Sequence, residues 1–147
     1  MNEASFLAAA EQHCLQGGVK LTDLRRKVLS LAVKYTGIVK AYQLLTDLQA
    51  ERGGVAPPTI YRALDFLVEQ GLLHRIEALN GFLVCQHFNC THHGLILSCQ
   101  RCGKATEIND DEHLPRINAH CQNLDFVMRK QSIVIDGWCA SCTPQAI

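Results

Sequence analysis

Two Cys-x-x-Cys pairs stand in the second half of the chain, Cys99-Gln-Arg-Cys102 and Cys139-Ala-Ser-Cys142. One such pair alone could be a thiol redox motif. Two pairs supply four thiolates, the complement of a closed structural zinc site, and Gly103 after the first pair suits the tight turn of a zinc knuckle. Of the eight cysteines, seven lie at Cys85 or later. In a secreted protein they would form a disulfide framework; in a cytoplasmic one they are metal ligands more often. A redox pair also needs an exposed, low-pKa cysteine, typically at a helix N-terminus, whereas both pairs here flank strand-like runs such as Leu95–Leu97.

Ligand-type side chains remain after those four are assigned. His74, Cys85, His87, Cys90, His92, His93 and Glu107 fall within 34 residues near the middle of the chain. Each alone reads as a surface histidine or buried thiol; together they form a candidate second metal site. Cys14 and Cys121 sit among apolar helix neighbours and read as core thiols. His13, His113 and His120 read as solvated helix residues.

A third set lies in the first half. Thr59, Tyr61, Arg62 and Asp65 fall off the apolar stripe of a helical run and gather near its start. The planar fork of Arg62 can bond guanine O6 and N7 together, and Thr59 and Tyr61 can hold phosphates or touch a thymine methyl. Tyr42 is a further exposed aromatic at the start of the preceding run. Ordinary solvated polar residues are the plain alternative for each.

The elements that must position these residues follow from periodicity. Four helical runs come first: Glu3–Gln16, stopped by Gly17-Gly18; one opening at the N-cap Thr22; Ala41–Glu51, stopped by Gly53-Gly54; and one from Pro57-Pro58-Thr59 to Gln70. The last carries Ile60, Ala63, Leu64, Leu67 and Val68 as one apolar stripe. After Gly71 the period turns alternating: Leu72–Glu77 as a strand, Leu79–Gly81 as a tight turn, Phe82–Cys85 as the return. Helix, short connection, helix and hairpin is the layout of a winged helix-turn-helix, whose last helix enters the major groove.

The second half reads as a strand at Ala105–Asn109, a helix at Glu112–Leu124 and a long strand at Phe126–Ile135. Strand, helix and strand in about 40 residues is too little to cover two sheet faces, and the last strand leaves an open edge. A second copy solves both problems, so a homodimer is expected. The expected fold class is α+β: an N-terminal winged helix-turn-helix DNA-binding domain over residues 1–84, a hinge at about 78–92, and a C-terminal α/β dimerisation domain with structural zinc over 85–147.

Composition decides less. The 147 residues carry 14 Lys plus Arg against 14 Asp plus Glu, so nucleic-acid binding rests on the motif and not on bulk charge. A hydrophobic share of 48% fits a folded protein. No apolar run is long enough for a membrane span and no signal peptide follows Met1, so a cytoplasmic protein is expected. No Gly-x-Ser-x-Gly, Walker loop or His-Glu-x-x-His occurs, and no enzyme activity or small-molecule substrate is expected. A zinc-stabilised interaction module would explain the cysteines but not Thr59–Arg62.

With these residues in view the sequence resembles the ferric-uptake-regulator family, and within it the zinc-sensing branch. The resemblance runs from about Leu21 to Cys142. It is carried by Leu21-Thr22…Arg25…Val28-Leu29, by Pro58-Thr59-Ile60-Tyr61-Arg62-Ala63-Leu64-Asp65-Phe66-Leu67, by Gly71-Leu72-Leu73-His74 and by both Cys-x-x-Cys pairs. It implies a dimer of winged-helix heads with two zinc ions per subunit. The structural zinc would lie on Cys99, Cys102, Cys139 and Cys142. The regulatory zinc would lie on His74, Cys85, Glu107 and one histidine of the His92-His93 pair, with His92 preferred and His93 as its substitute. Tyr42 and Arg62 match positions that look like base readers. Asp23 stands where the family often has proline, and is itself a good first-turn residue.

One thiolate, two imidazoles and a carboxylate make a partly soft four-coordinate set that favours zinc over iron. The function the resemblance implies is a zinc-responsive repressor of zinc-uptake genes that binds palindromic operator DNA as a dimer. An iron- or peroxide-sensing member of the family and a Cys-x-x-Cys redox switch are the alternatives. Because the second ligand set draws on both halves, metal binding is expected to select one mutual orientation and bring the two recognition helices about 34 Å apart.

Overall fold

The computed structural model describes residues 2–88, 94–128 and 132–143 of the chain. They fall into two units, Met1–Asn89 and Cys90–Ile147. Among the described residues no helix is long and apolar enough to cross a membrane.

The first unit holds four helices and a hairpin: α1 (Glu3–Gln16), α2 (Asp23–Val33), α3 (Ala41–Arg52), α4 (Pro57–Glu69), β1 (Leu73–Ile76) and β2 (Gly81–Val84). Local chemistry sets the helix ends. Asn2 Oδ1 accepts the Ser5 N–H at 2.8 Å to start α1, and the chain leaves it through Gly18 at φ 73°. Thr22 caps α2 through a long 3.5 Å bond from the Arg25 N–H, with Asp23 complementing the positive end of the helix. Gly53 and Gly54 both take positive φ between α3 and α4, and Pro57 opens α4.

Each helix turns its apolar stripe to one core. Phe6, Ala10 and Cys14 from α1 join Val28 and Leu29 from α2, Leu44 and Leu48 from α3, and Ile60, Leu64 and Leu67 from α4. Removing one such leucine side chain costs about 2–5 kcal/mol, a large part of a small domain's stability. Cys14 is fully buried in this core, and burial, ahead of nearby charges, pushes its thiol above the ordinary value.

The hairpin differs from expectation at its tip. The tight turn expected over Leu79–Gly81 begins earlier: one 3-10 turn, Glu77–Leu79, closes on Asn80 in the left-handed region at φ 48°. Behind it, Val39 and Phe82 exchange backbone hydrogen bonds at 2.9 and 2.8 Å, adding a third extended segment to the wing. That approach requires glycine at position 81, since a Cβ there would lie 2.4 Å from Ile38 Cγ2. The Lys40 ammonium donates to the Leu79 carbonyl and ties the wing tip to the start of α3.

The second unit holds β3 (Gly94–Cys99), β4 (Ala105–Asn109), α5 (His113–Asn123) and β5 (Ser132–Gly137). The sheet order is β4-β3-β5, with β3 antiparallel to β4 and parallel to β5. The long strand expected over Phe126–Ile135 is shorter. Phe126–Met128 lie outside it because the chain is still closing α5 there: Asp125 takes φ 56° and the Phe126 N–H reaches back to the Cys121 carbonyl at 2.9 Å. Asp110 caps the other end of α5, accepting the Leu114 N–H at 2.8 Å and the His113 N–H at 3.1 Å.

Candidate metal centres and nucleic-acid interface

Cys99 ends the central strand β3, and the backbone then folds into a knuckle. The Gly103 N–H returns to the Cys99 carbonyl at 3.0 Å, with Gly103 in the left-handed region at φ 76°. Cys139 and Cys142 sit on a second turn just after β5, where the Cys142 N–H meets the Cys139 carbonyl at 2.9 Å. The parallel pairing of β3 with β5, with Cys99 opposite Gly137, brings both turns to one end of the sheet.

There the four sulfurs lie within 4.8 Å of one another, and Cys102 Sγ is 3.8 Å from Cys139 Sγ. Thiolates around a tetrahedral zinc with ~2.3 Å bonds stand roughly 3.8 Å apart, the separation of Cys102 and Cys139, so the donor set and its convergence suit that ion. The backbone polarises it as well. N–H groups of Cys102, Cys139 and Arg101 aim at Cys99 Sγ and hold its thiol down at about 6 against burial. The thiol of Cys142 is pushed up to about 12, first by its contact with Cys139, then by burial and the other two sulfurs. Four thiols this close cannot all ionise without a cation among them.

The candidate second-site residues are placed unit by unit. In the first, His74 lies half-buried on β1 opposite Leu83, and Cys85 is fully buried just after β2, its N–H on the Leu72 carbonyl at 3.0 Å. A ligand nitrogen of His74 and the Cys85 sulfur lie within 4.8 Å. His87 is half-buried. In the second, Glu107 lies half-buried on β4 opposite Ile96 and against Gly94, whose absent side chain leaves it room: a Cβ there would come within 3.1 Å of Glu107 Oε1. His92, His93 and Cys90 lie outside the described residues.

The nucleic-acid set shares the first unit. Tyr42 projects from the first turn of α3 at 67% exposure and Tyr61 from α4 at 52%. Thr59 and Arg62 line an open groove of about 240 Å³ with Thr22, Leu24 and Arg25 of the α2 start. Periodicity along α4 does not reveal that groove, because half of it belongs to another helix. Arg25 is held in place by stacking 3.8 Å above the Phe66 ring and by donating to the Lys20 carbonyl at 3.0 Å.

Two expectations are corrected. His13 is not simply solvated: its Nε2 is 2.8 Å from the Gln70 carbonyl, and its ring meets Phe88 edge-on at 5.4 Å, fastening α1 to the end of α4. His113 is exposed, as expected, and also pairs with Asp110 at 3.0 Å. Cys121 is half-exposed and not a core thiol.

A winged-helix unit followed by an α/β unit with a four-thiol knuckle defines a class of metal-binding regulator. The family model for the ferric uptake regulator family matches residues 16–135, and the chain belongs to that family. Within it, the zinc uptake regulation protein of Escherichia coli K12 is 37% identical over 138 residues, covering 93% of this chain and 81% of that protein. The ferric uptake regulation protein of Staphylococcus epidermidis is 24% identical over 131 residues. Among solved structures, a zinc uptake regulator complexed with zinc and DNA matches with a TM-score of 0.89 at 35% identity, over 96% of this chain and 95% of that one. The holo form of the regulator XcZur matches with a TM-score of 0.83 at 39% identity, over 93% and 96%.

Proposed function

We propose that this chain is a zinc-responsive transcriptional repressor: a homodimer that, with zinc bound, binds palindromic operator DNA and silences zinc-uptake genes. The observation that carries the reading is the likeness, over nearly all of both chains, to a regulator solved with zinc and DNA. The weaker identity to ferric regulators, 24–27% against 37%, favours zinc over iron. The reading makes it a regulator and not an enzyme, acting in the cytoplasm where the chromosome lies.

In this reading Cys99, Cys102, Cys139 and Cys142 hold a structural zinc that joins the end of β3 to the segment after β5. His74, Cys85, Glu107 and His92, or His93 in its place, hold a regulatory one. Zinc supplies a redox-inert tetrahedral centre whose bonds are stable only when all its ligands converge. His74 and Cys85 come from the DNA-binding unit and Glu107 from the other, so the metal-loaded ligand set selects one arrangement of the two. Arg62 and Tyr42 read bases, while Thr59 and Tyr61 hold the backbone.

The second unit dimerises. The sheet face bearing Leu97 and Ile135, 40% and 46% exposed, borders with Thr106 and Trp138 a groove of about 250 Å³, and apolar surface of this kind is covered by a partner.

The test compares His74→Ala with Cys99→Ser. His74→Ala keeps one zinc per chain and a native spectrum but loses about 5- to 150-fold in zinc-dependent operator affinity, the size of an ordinary allosteric coupling. Cys99→Ser unfolds or dissociates the dimer. Undiminished zinc-dependent binding by His74→Ala would remove His74 from the regulatory site.

A further inference from the structure

The exposed face of α4 carries two acidic residues, Asp65 and Glu69, and the first lies beside its basic one, Arg62. Asp65 follows Arg62 by three positions and Tyr61 by four, which places it one turn along the same face. A carboxylate on a helix meant for a polyanion opposes binding unless something offsets it. Here the offset comes from the wing. Arg75 on β1 sends its guanidinium across Phe82, its register partner on β2, with the fork 5.2 Å above the ring. It then meets Asp65 Oδ1 at 2.5 Å. Three elements, α4, β1 and β2, are joined through that one arginine.

Folding stability does not account for the pair. The Asp65 side chain is 60% exposed and that of Arg75 38%, and ion pairs so open to water add little to stability. Its weight lies in the charge balance of the unit. Up to Ala78 the chain holds nine basic residues against eight acidic ones. Lys27 is already paired with Glu51, and Arg25 is committed to Phe66 and Lys20. Each guanidinium left for phosphate therefore changes the non-specific attraction appreciably, because that attraction scales with the number of phosphates neutralised.

We propose that Asp65 is a specificity-determining residue for DNA recognition: by pairing with Arg75 it withholds that guanidinium from phosphate and fixes the wing against the recognition helix. The proposal rests on the DNA-binding function inferred above. Asp65 is thus a positioning residue, acting through Arg75 and not on a base. Losing its charge frees Arg75 to neutralise a backbone phosphate, which strengthens binding to any sequence and loosens the link between helix and wing. Affinity for DNA in general rises while discrimination falls.

The experiment uses the zinc-loaded full chain and two duplexes of equal length: one selected by the wild-type protein from a random pool, and a scrambled version of it. Binding is titrated across salt concentrations. Asp65→Asn is expected to steepen the log–log salt slope by about 0.9 per protomer and to raise affinity for the scrambled duplex roughly five- to tenfold per protomer at 0.1 M salt. The ratio of selected to scrambled affinity falls. Asp65→Asn combined with Arg75→Gln returns the slope to the wild-type value, with zinc content measured alongside because His74 is adjacent. Asp65→Glu, which keeps the charge, stays near wild type. An Asp65→Asn protein with unchanged slope and unchanged ratio overturns the proposal, as does an equal loss on both duplexes, the mark of a purely structural role. Failure of the wild-type chain to bind any duplex in a zinc-dependent way would instead overturn the DNA-binding reading itself.

Discussion

Asp110 shows how one side chain can organise the start of an element that carries no ligand. Burial works to raise its carboxyl, but the N–H groups of His113, Leu114 and Glu112 and the His113 ring outweigh that and hold it at about 2, below the ordinary 3.8. A folded-state pKa below the unfolded one stabilises the fold above about 4, and that contribution disappears as pH falls towards 2. Asp110→Asn is expected to lower the melting temperature at neutral pH, with the deficit shrinking as the buffer is taken from about pH 4 downward. A deficit constant over that range would contradict the assignment. Residues of this kind were only partly legible in the sequence. The four cysteines were, because their chemistry is written in the spacing. The contact between His13 and Gln70 was not, because it joins positions 57 apart that no local period relates.

Elements were legible where a stripe or a cap marks them. The bounds of α1 and β4 agree with the periodicity to the residue, Thr22 caps α2 as expected, α3 and α4 differ by one residue at their C-terminal ends, and α5 is one residue shorter at each end. Legibility failed where tertiary contacts decide. Val39 joins the wing through Phe82 with no alternating run around it, and Phe126–Met128 look like strand but lie outside it, with the Phe126 N–H used in closing α5. The sheet of the second unit bears its own prediction. Its outward face pairs Leu97 with Ile135 and leaves both in contact with solvent in the single chain. Ile135→Glu should weaken the dimer by roughly 3 kcal/mol, about a hundredfold in Kd, through lost apolar burial and a charge forced into the interface. Sedimentation equilibrium reads this directly, and an unchanged dimer would mean that the face is not the contact.

At the scale of the molecule, net charge is the instructive quantity. A chain with equal numbers of acidic and basic residues holds DNA weakly through charge alone, so binding must come from placing a few side chains, in the proposed reading Arg62 and Tyr42 foremost, at the right spacing in a dimer. That requirement makes a metal-controlled arrangement an effective switch: small differential affinities suffice where the basal attraction is low. It also explains why composition pointed away from nucleic acid while the motif pointed towards it. The most direct test of zinc-dependent DNA recognition is the affinity of the wild-type protein for its selected duplex, at fixed salt, before and after mild chelation, with zinc per chain counted in the same samples. The account predicts two zinc ions falling to one, affinity falling about 5- to 150-fold, and full recovery on adding zinc. Equal affinity before and after the loss of that zinc would contradict it.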